Sequence, residues 1–212
     1  ARENAALNGL ADGRDEWREA DVFAELRRLR NGLRDDILLV IDSAYGEFAR
    51  VTDYSFGHEL VDGGENTVVA RTFSKFFGLA GLRLGWAHCP PAVADILNRI
   101  RGPFNVALPT QAAAIAALED RDFQARCKAH NDRWLTWFTA ECRALGLEVP
   151  ESQANFVLVR FAAGKGRDAG AANRHLESQG IIARQLGAYG LPDCLRITIG
   201  TEADMRATRD AL

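Results

Sequence analysis

The sequence of 212 residues is 47% apolar and 26% charged, enough for one large or two small domains with hydrophobic cores. A formal net charge of −3, with acids and bases interspersed and no long basic run, argues against nucleic acid as a partner. No apolar run reaches the ~20 residues of a membrane-crossing helix, and the opening stretch ARENAALNGLADGRDEWREAD lacks the apolar centre of a signal peptide, so a cytoplasmic location away from membranes is expected.

The first patterned stretch, DVFAELRRLRNGL, spaces Val22, Phe23, Leu26, Leu29 and Leu33 as a helix does, and it runs directly into ILLVID, a short apolar strand. A loop, SAYGEFARVTDYSFGHELVDGGEN, separates that strand from a second apolar run, TVVA; a lysine-bearing loop and LRLGWAH follow. Apolar runs without polar alternation predict strands covered on both faces, as in an α/β sheet. A helix is predicted from Ala92. The segment from Pro109 to Gly146 reads as two nearly continuous helices, long enough to connect domains. The remainder alternates ANFVLVRF, AGAANRHLESQG, IIARQ, CLRITIG and EADMRATRDAL as strand, helix, short strand, strand and helix, which predicts a small α/β domain.

Asp42 ends the first strand and Lys75 follows the second, so a parallel α/β sheet places both at its carboxyl edge, where such sheets bind ligands. If LRLGWAH returns antiparallel, it brings Arg83 to the same edge. Converging carboxylate, amine and guanidinium groups suit an anionic, nitrogen-containing ligand. Thr72, Ser74 and the glycines of GLAGLR add hydroxyls and backbone amides able to hold a phosphate. Position alone leaves Asp42 equally well explained as a turn residue and favours Lys75 as a solvated loop lysine; the spacing of Thr72, Ser74 and the glycines changes that balance. The four cysteines, Cys89, Cys127, Cys142 and Cys194, show no C-x-x-C spacing, which predicts reduced, mostly buried thiols and no metal site. The four histidines share no motif, and Trp134, Trp137 and Phe138 fall at helical spacing, which predicts packing.

DSAYGEF, TFSKFFGLAGLRLGW, ANFVLV and LRITIGT together resemble the fold-type-I pyridoxal-phosphate enzymes, the histidinol-phosphate aminotransferase group in particular, from about Asp21 to the C-terminus. The resemblance implies an α/β fold: a partial large domain (21–107) with a mixed, mostly parallel sheet, then interdomain helices and a small C-terminal α/β domain (108–212), after an unmatched leader (1–20). It implies that Lys75 forms the Schiff base with pyridoxal 5'-phosphate, which only a primary amine can do, and then carries a proton. It further implies that Asp42 pairs with the pyridine nitrogen and Tyr45 with the ring oxygen, while Ser74 and Arg83, supported by Thr72, bind the phosphate.

For substrate, the resemblance implies that Arg196 clamps a carboxylate, Arg184 meets the distal phosphate and Asn105 lines the cleft; an edge-strand arginine, a surface arginine and a turn asparagine are the plain alternatives. The implied reaction moves an amino group from histidinol phosphate to 2-oxoglutarate in a homodimeric enzyme of histidine biosynthesis, without a metal. Aromatic amino-acid transamination, threonine-phosphate decarboxylation or a non-catalytic interaction module are the alternatives. Family members are longer and carry N-terminal cofactor contacts not found in this sequence, so the chain by itself is expected to hold cofactor loosely.

Overall fold

The computed structural model describes residues 22–212 other than 53, 65, 163 and 165, so the leader at 1–20 lies outside the described residues. Helix α1 (Val22–Gly32) leads to strand β1 (Leu39–Asp42), and β2 (Thr67–Thr72) lies parallel to it with Asp42 opposite Ala70. Strand β3 (Gly85–His88) returns antiparallel to β2 with Gly85 opposite Thr72, which brings the Arg83 end of the return to the carboxyl edge as predicted. Gly85 is required there: a β-carbon would sit 2.8 Å from the Arg71 carbonyl oxygen.

The segment read as a single loop between β1 and β2 contains a short 3-10 turn (Gly46–Phe48) and helix α2 (His58–Gly63). Six residues are too few to display a helical period, but Leu60 and Val61 are buried and Gly57 enters the helix at φ 87°, which favours glycine. Coverage of the sheet also departs from expectation. Val68 and Val69 on β2 are both buried, yet Val40 on β1 is 56% exposed, so the described residues cover β1 on the Ile41 side alone.

Helices α3 (Pro91–Ile100), α4 (Leu108–Glu119) and α5 (Arg121–Ala144) follow. Asp120 separates the last two and caps α5, its carboxylate accepting from the Phe123 N–H at 2.8 Å. The second sheet has the order β4 (Phe156–Arg160), β6 (Leu191–Thr198), β5 (Arg184–Leu186), all antiparallel, with α6 (Ala169–Ser178) packed on it and α7 (Glu202–Asp210) packed on α5. IIARQ starts its strand later than expected, at Arg184. The Ile181 N–H closes α6 by donating to the Leu176 carbonyl at 2.9 Å, with Gly180 at φ 77°, so this stretch is used as a helix cap.

Period-two alternation organises the second sheet. Val157 and Val159 of β4, with Leu195 and Ile197 of β6, face a core completed by Trp134, Leu135, Phe138 and Cys142 of α5, Leu176 of α6 and Met205 of α7. Phe156, Leu158 and Arg196 lie on the other face. All four cysteines are free; Cys142 and Cys194 are buried, whereas Cys89 and Cys127 are half-buried, short of the mostly buried set expected. Burial, assisted by the Glu141 charge, pushes the Cys142 thiol up to about 12, which makes it an inert core group. Among the described residues, no helix is long and apolar enough to cross a membrane.

Phe138 is fully buried at the centre of this core. Phe138→Ala should lower the unfolding free energy by about 3–5 kcal/mol, read from urea unfolding followed by tryptophan fluorescence. An unchanged midpoint would contradict the packing.

Candidate active site between the two sheets

The turn carrying Lys75 is built by its own backbone. The Phe73 N–H donates to the Leu84 carbonyl at 3.1 Å, the Leu79 N–H to the Phe73 carbonyl at 3.0 Å and the Gly78 N–H to the Lys75 carbonyl at 3.0 Å. Gly78, at φ 69°, lets the chain reverse. The Thr72 hydroxyl accepts from the Ser74 N–H at 3.0 Å and donates to the Leu84 carbonyl at 3.4 Å, locking the entry to the turn. Phe73 and Phe76 are buried on either side, so Lys75 is the side chain turned outward to solvent. Arg83 closes the following 3-10 turn in the left-handed region, φ 54°, and its guanidinium donates to the Ala80 carbonyl at 2.7 Å.

Asp42 sits exposed at the end of β1, where Oδ1 accepts from the Ala44 N–H at 3.1 Å. Three residues on, the Tyr45 ring centroid lies 5.2 Å from Lys75 Nζ. The Tyr45 ring also meets Phe156 edge to face at 5.2 Å, and the Arg196 guanidinium stands 4.9 Å over Phe156. Lys75, Tyr45, Phe156 and Arg196 therefore form a continuous row from the first sheet to the second. Arg50 reinforces the junction: its N–H donates to Gln153 Oε1 at 2.8 Å, and its Nη1 to Thr136 Oγ1 at 2.9 Å.

Arg184 on β5 lies directly opposite Arg196 on β6. Like charges in that position repel. Arg184 Nη2 donates to the Tyr189 hydroxyl at 2.7 Å, while Arg196 Nε is buried with no partner among the described residues, a donor set suited to anions. Asn105 does not join the row. It is exposed, and its Oδ1 accepts from Arg101 Nη1 at 3.1 Å.

Nothing in the sequence singles out Phe156 as the bridge, or Glu47 and Arg71 as partners, since both elements had to be placed in space first. Glu47 Oε1 accepts from Arg71 Nη2 at 2.6 Å, between side chains only 12% and 10% exposed. The histidines stand apart from Lys75: His58 stacks on Phe56, and His88 pairs with Asp62 at 2.7 Å. Burial and the nearby Arg71 charge hold His58 below the usual histidine range.

Residues 23–212 match the protein family described as aminotransferase class I and II. The chain is 59% identical over 177 residues to histidinol-phosphate aminotransferase of Paramagnetospirillum magneticum, covering 84% of this chain and 49% of that protein. It is 57% identical over 187 residues to histidinol-phosphate aminotransferase of Rhodospirillum centenum, covering 88% and 51%. Among solved structures, histidinol-phosphate aminotransferase from Sinorhizobium meliloti in complex with pyridoxal-5'-phosphate matches with a TM-score of 0.79 at 32% identity, over 90% of this chain and 52% of that one. The chain spans about half the length of the curated relatives it matches.

Proposed function

The chain belongs to the class I and II aminotransferases, and from that premise we propose that it serves pyridoxal-phosphate-dependent transfer of an amino group from histidinol phosphate to 2-oxoglutarate. The observation that carries this reading is the row Lys75–Tyr45–Phe156–Arg196, with Arg184 beside its far end. A primary amine stands at one end and paired cations at the other, as a substrate with an amine and an anionic terminus requires.

The donor set fits pyridoxal phosphate: amine, carboxylate, phenol, hydroxyls and guanidinium all lie at or beside the carboxyl edge of one sheet, as an aldehyde, ring nitrogen, ring oxygen and phosphate would need. When bound, that cofactor supplies a carbonyl carbon for amines and a pyridinium that delocalises the electron pair released at the substrate Cα. Lys75 would hold the carbonyl carbon of that cofactor and would move the proton at the substrate Cα. Its outward position on a turn tied by backbone hydrogen bonds leaves the amine accessible to cofactor and substrate. The Asp42 carboxylate holds the proton on the ring nitrogen. Tyr45, steadied by Phe156, donates to the ring oxygen.

Ser74 and Arg83, on the turn secured by Thr72, bind the cofactor phosphate, Arg83 as a charged fork. Arg196 orients the carboxylate of glutamate and Arg184 the distal phosphate; Asn105 borders the cleft from the segment before α4. On this reading residues 21–107 are part of a large cofactor domain, and 108–212 are interdomain helices with a small domain. Phe104 and Leu108, 93% and 79% exposed, suit the subunit contact of a cytoplasmic homodimer.

In the protein as the cell makes it, borohydride reduction with pyridoxal phosphate should place the pyridoxyl label on Lys75. Labelling of Lys128 or Lys165, the other lysines in the sequence, would overturn the assignment. Lys128 is already engaged by Asp132 at 2.8 Å. Lys75→Ala should abolish turnover. Arg184→Ala should raise the Michaelis constant for histidinol phosphate far more than for glutamate, with a loss of about 2–5 kcal/mol if bound substrate desolvates the pair. Equal losses for both substrates would remove phosphate recognition, and release of carbon dioxide would indicate a decarboxylase.

A further inference from the structure

The Glu47–Arg71 pair is costly for what it returns in stability. Both side chains are close to nine-tenths buried, yet a single hydrogen bond of 2.6 Å links them. Glu47 Oε2 and Arg71 Nε are buried without partners among the described residues. The Arg71 guanidinium lies 3.8 Å from the Phe56 ring centroid and 5.2 Å from that of Trp86, so the cation is flanked by aromatic rings. A buried pair satisfied this incompletely recovers little of the cost of stripping two charges of water.

Its location gives it another use. Glu47 lies in the 3-10 turn two residues after Tyr45 and five after Asp42. Arg71 lies one residue before Thr72 and four before Lys75, on the strand that enters the lysine turn. Backbone pairing between β1 and β2 ends at Asp42 and Ala70, followed by one bond from the Ser43 N–H to the Ala70 carbonyl at 3.0 Å. Beyond that point no backbone hydrogen bond joins the two segments among the described residues, and the Glu47–Arg71 pair links them. A β-carbon at Gly46 would overlap the Phe56 ring, so the turn presenting Glu47 is seated directly on the ring that carries Arg71.

The geometry points to Glu47 and Arg71 as positioning residues that set the separation between the Asp42–Tyr45 segment and the Lys75 amine. This rests on the proposed function, because the separation matters only if a cofactor bridges the two segments. Neither residue touches the reacting groups. The charge on Glu47 and the planar, ring-stacked fork of Arg71 are both needed, since lysine would keep the charge and lose the stacking.

The test compares the protein as the cell makes it with Glu47→Gln, which keeps shape and acceptor but removes the charge, and with Arg71→Lys. Each is loaded with pyridoxal phosphate. Both variants should weaken the circular dichroism of the bound cofactor at its visible band. They should also lower kcat about a hundredfold, the scale of an ångström-sized misplacement, with little change in KM. The double variant should lose no more than the worse single one, as expected for partners in one interaction. Folded variants that keep the parent's cofactor dichroism and kcat would overturn the inference. So would melting temperatures that fall while both readings stay at the parent's values, which would make the pair purely structural. If Glu47→Gln cannot be loaded, Arg71→Lys decides by the same readings. A parent that fails to label at Lys75 would instead overturn the function, and this inference with it.

Discussion

Tyr45 and Phe156 meet edge to face at 5.2 Å, and this contact joins the segment beside Lys75 in the first sheet to the second sheet. Such a pair contributes only about 0.5–1.5 kcal/mol beyond its burial, but it is directional. It holds the Tyr45 ring at a set angle beside Lys75, while the Arg196 guanidinium stands over Phe156. The contact exists because β4 alternates: Val157 and Val159 are drawn into the helical core, which forces Phe156 to the other face. Arg50 secures the same junction through Gln153 and Thr136, so the orientation does not rest on ring packing alone.

The carboxyl edge of the first sheet was legible because strands of this kind announce themselves. ILLVID and TVVA are apolar runs flanked by turn residues, and the placement of Asp42, Lys75 and Arg83 follows once β1 and β2 are parallel and β3 returns. The long α5 was equally plain from Trp134, Trp137 and Phe138 at helical spacing. What escaped the sequence depends on contacts between distant segments. Phe156 reads as one more apolar strand residue until the second sheet is set against Tyr45. Glu47 reads as a loop acid until Arg71 is placed opposite it. Helix α2 is too short for its period to emerge, and the onset of β5 was blurred because Ile181 and Ile182 look like strand while Ile181 completes the cap of α6.

The side-by-side arrangement of Arg184 and Arg196 has an electrostatic consequence. Two guanidiniums held across neighbouring strands raise the local positive potential in a chain whose formal charge is −3, which favours the approach of anions there. Doubly charged anions gain more from such a focus than singly charged ones. The gain acts during approach, before any hydrogen bond forms, and it weakens as the Debye length contracts from about 10 Å at 0.1 M salt to about 3 Å at 1 M. Ionic strength thereby becomes a control on how fast, and not only how tightly, anions of different valence reach this end of the row.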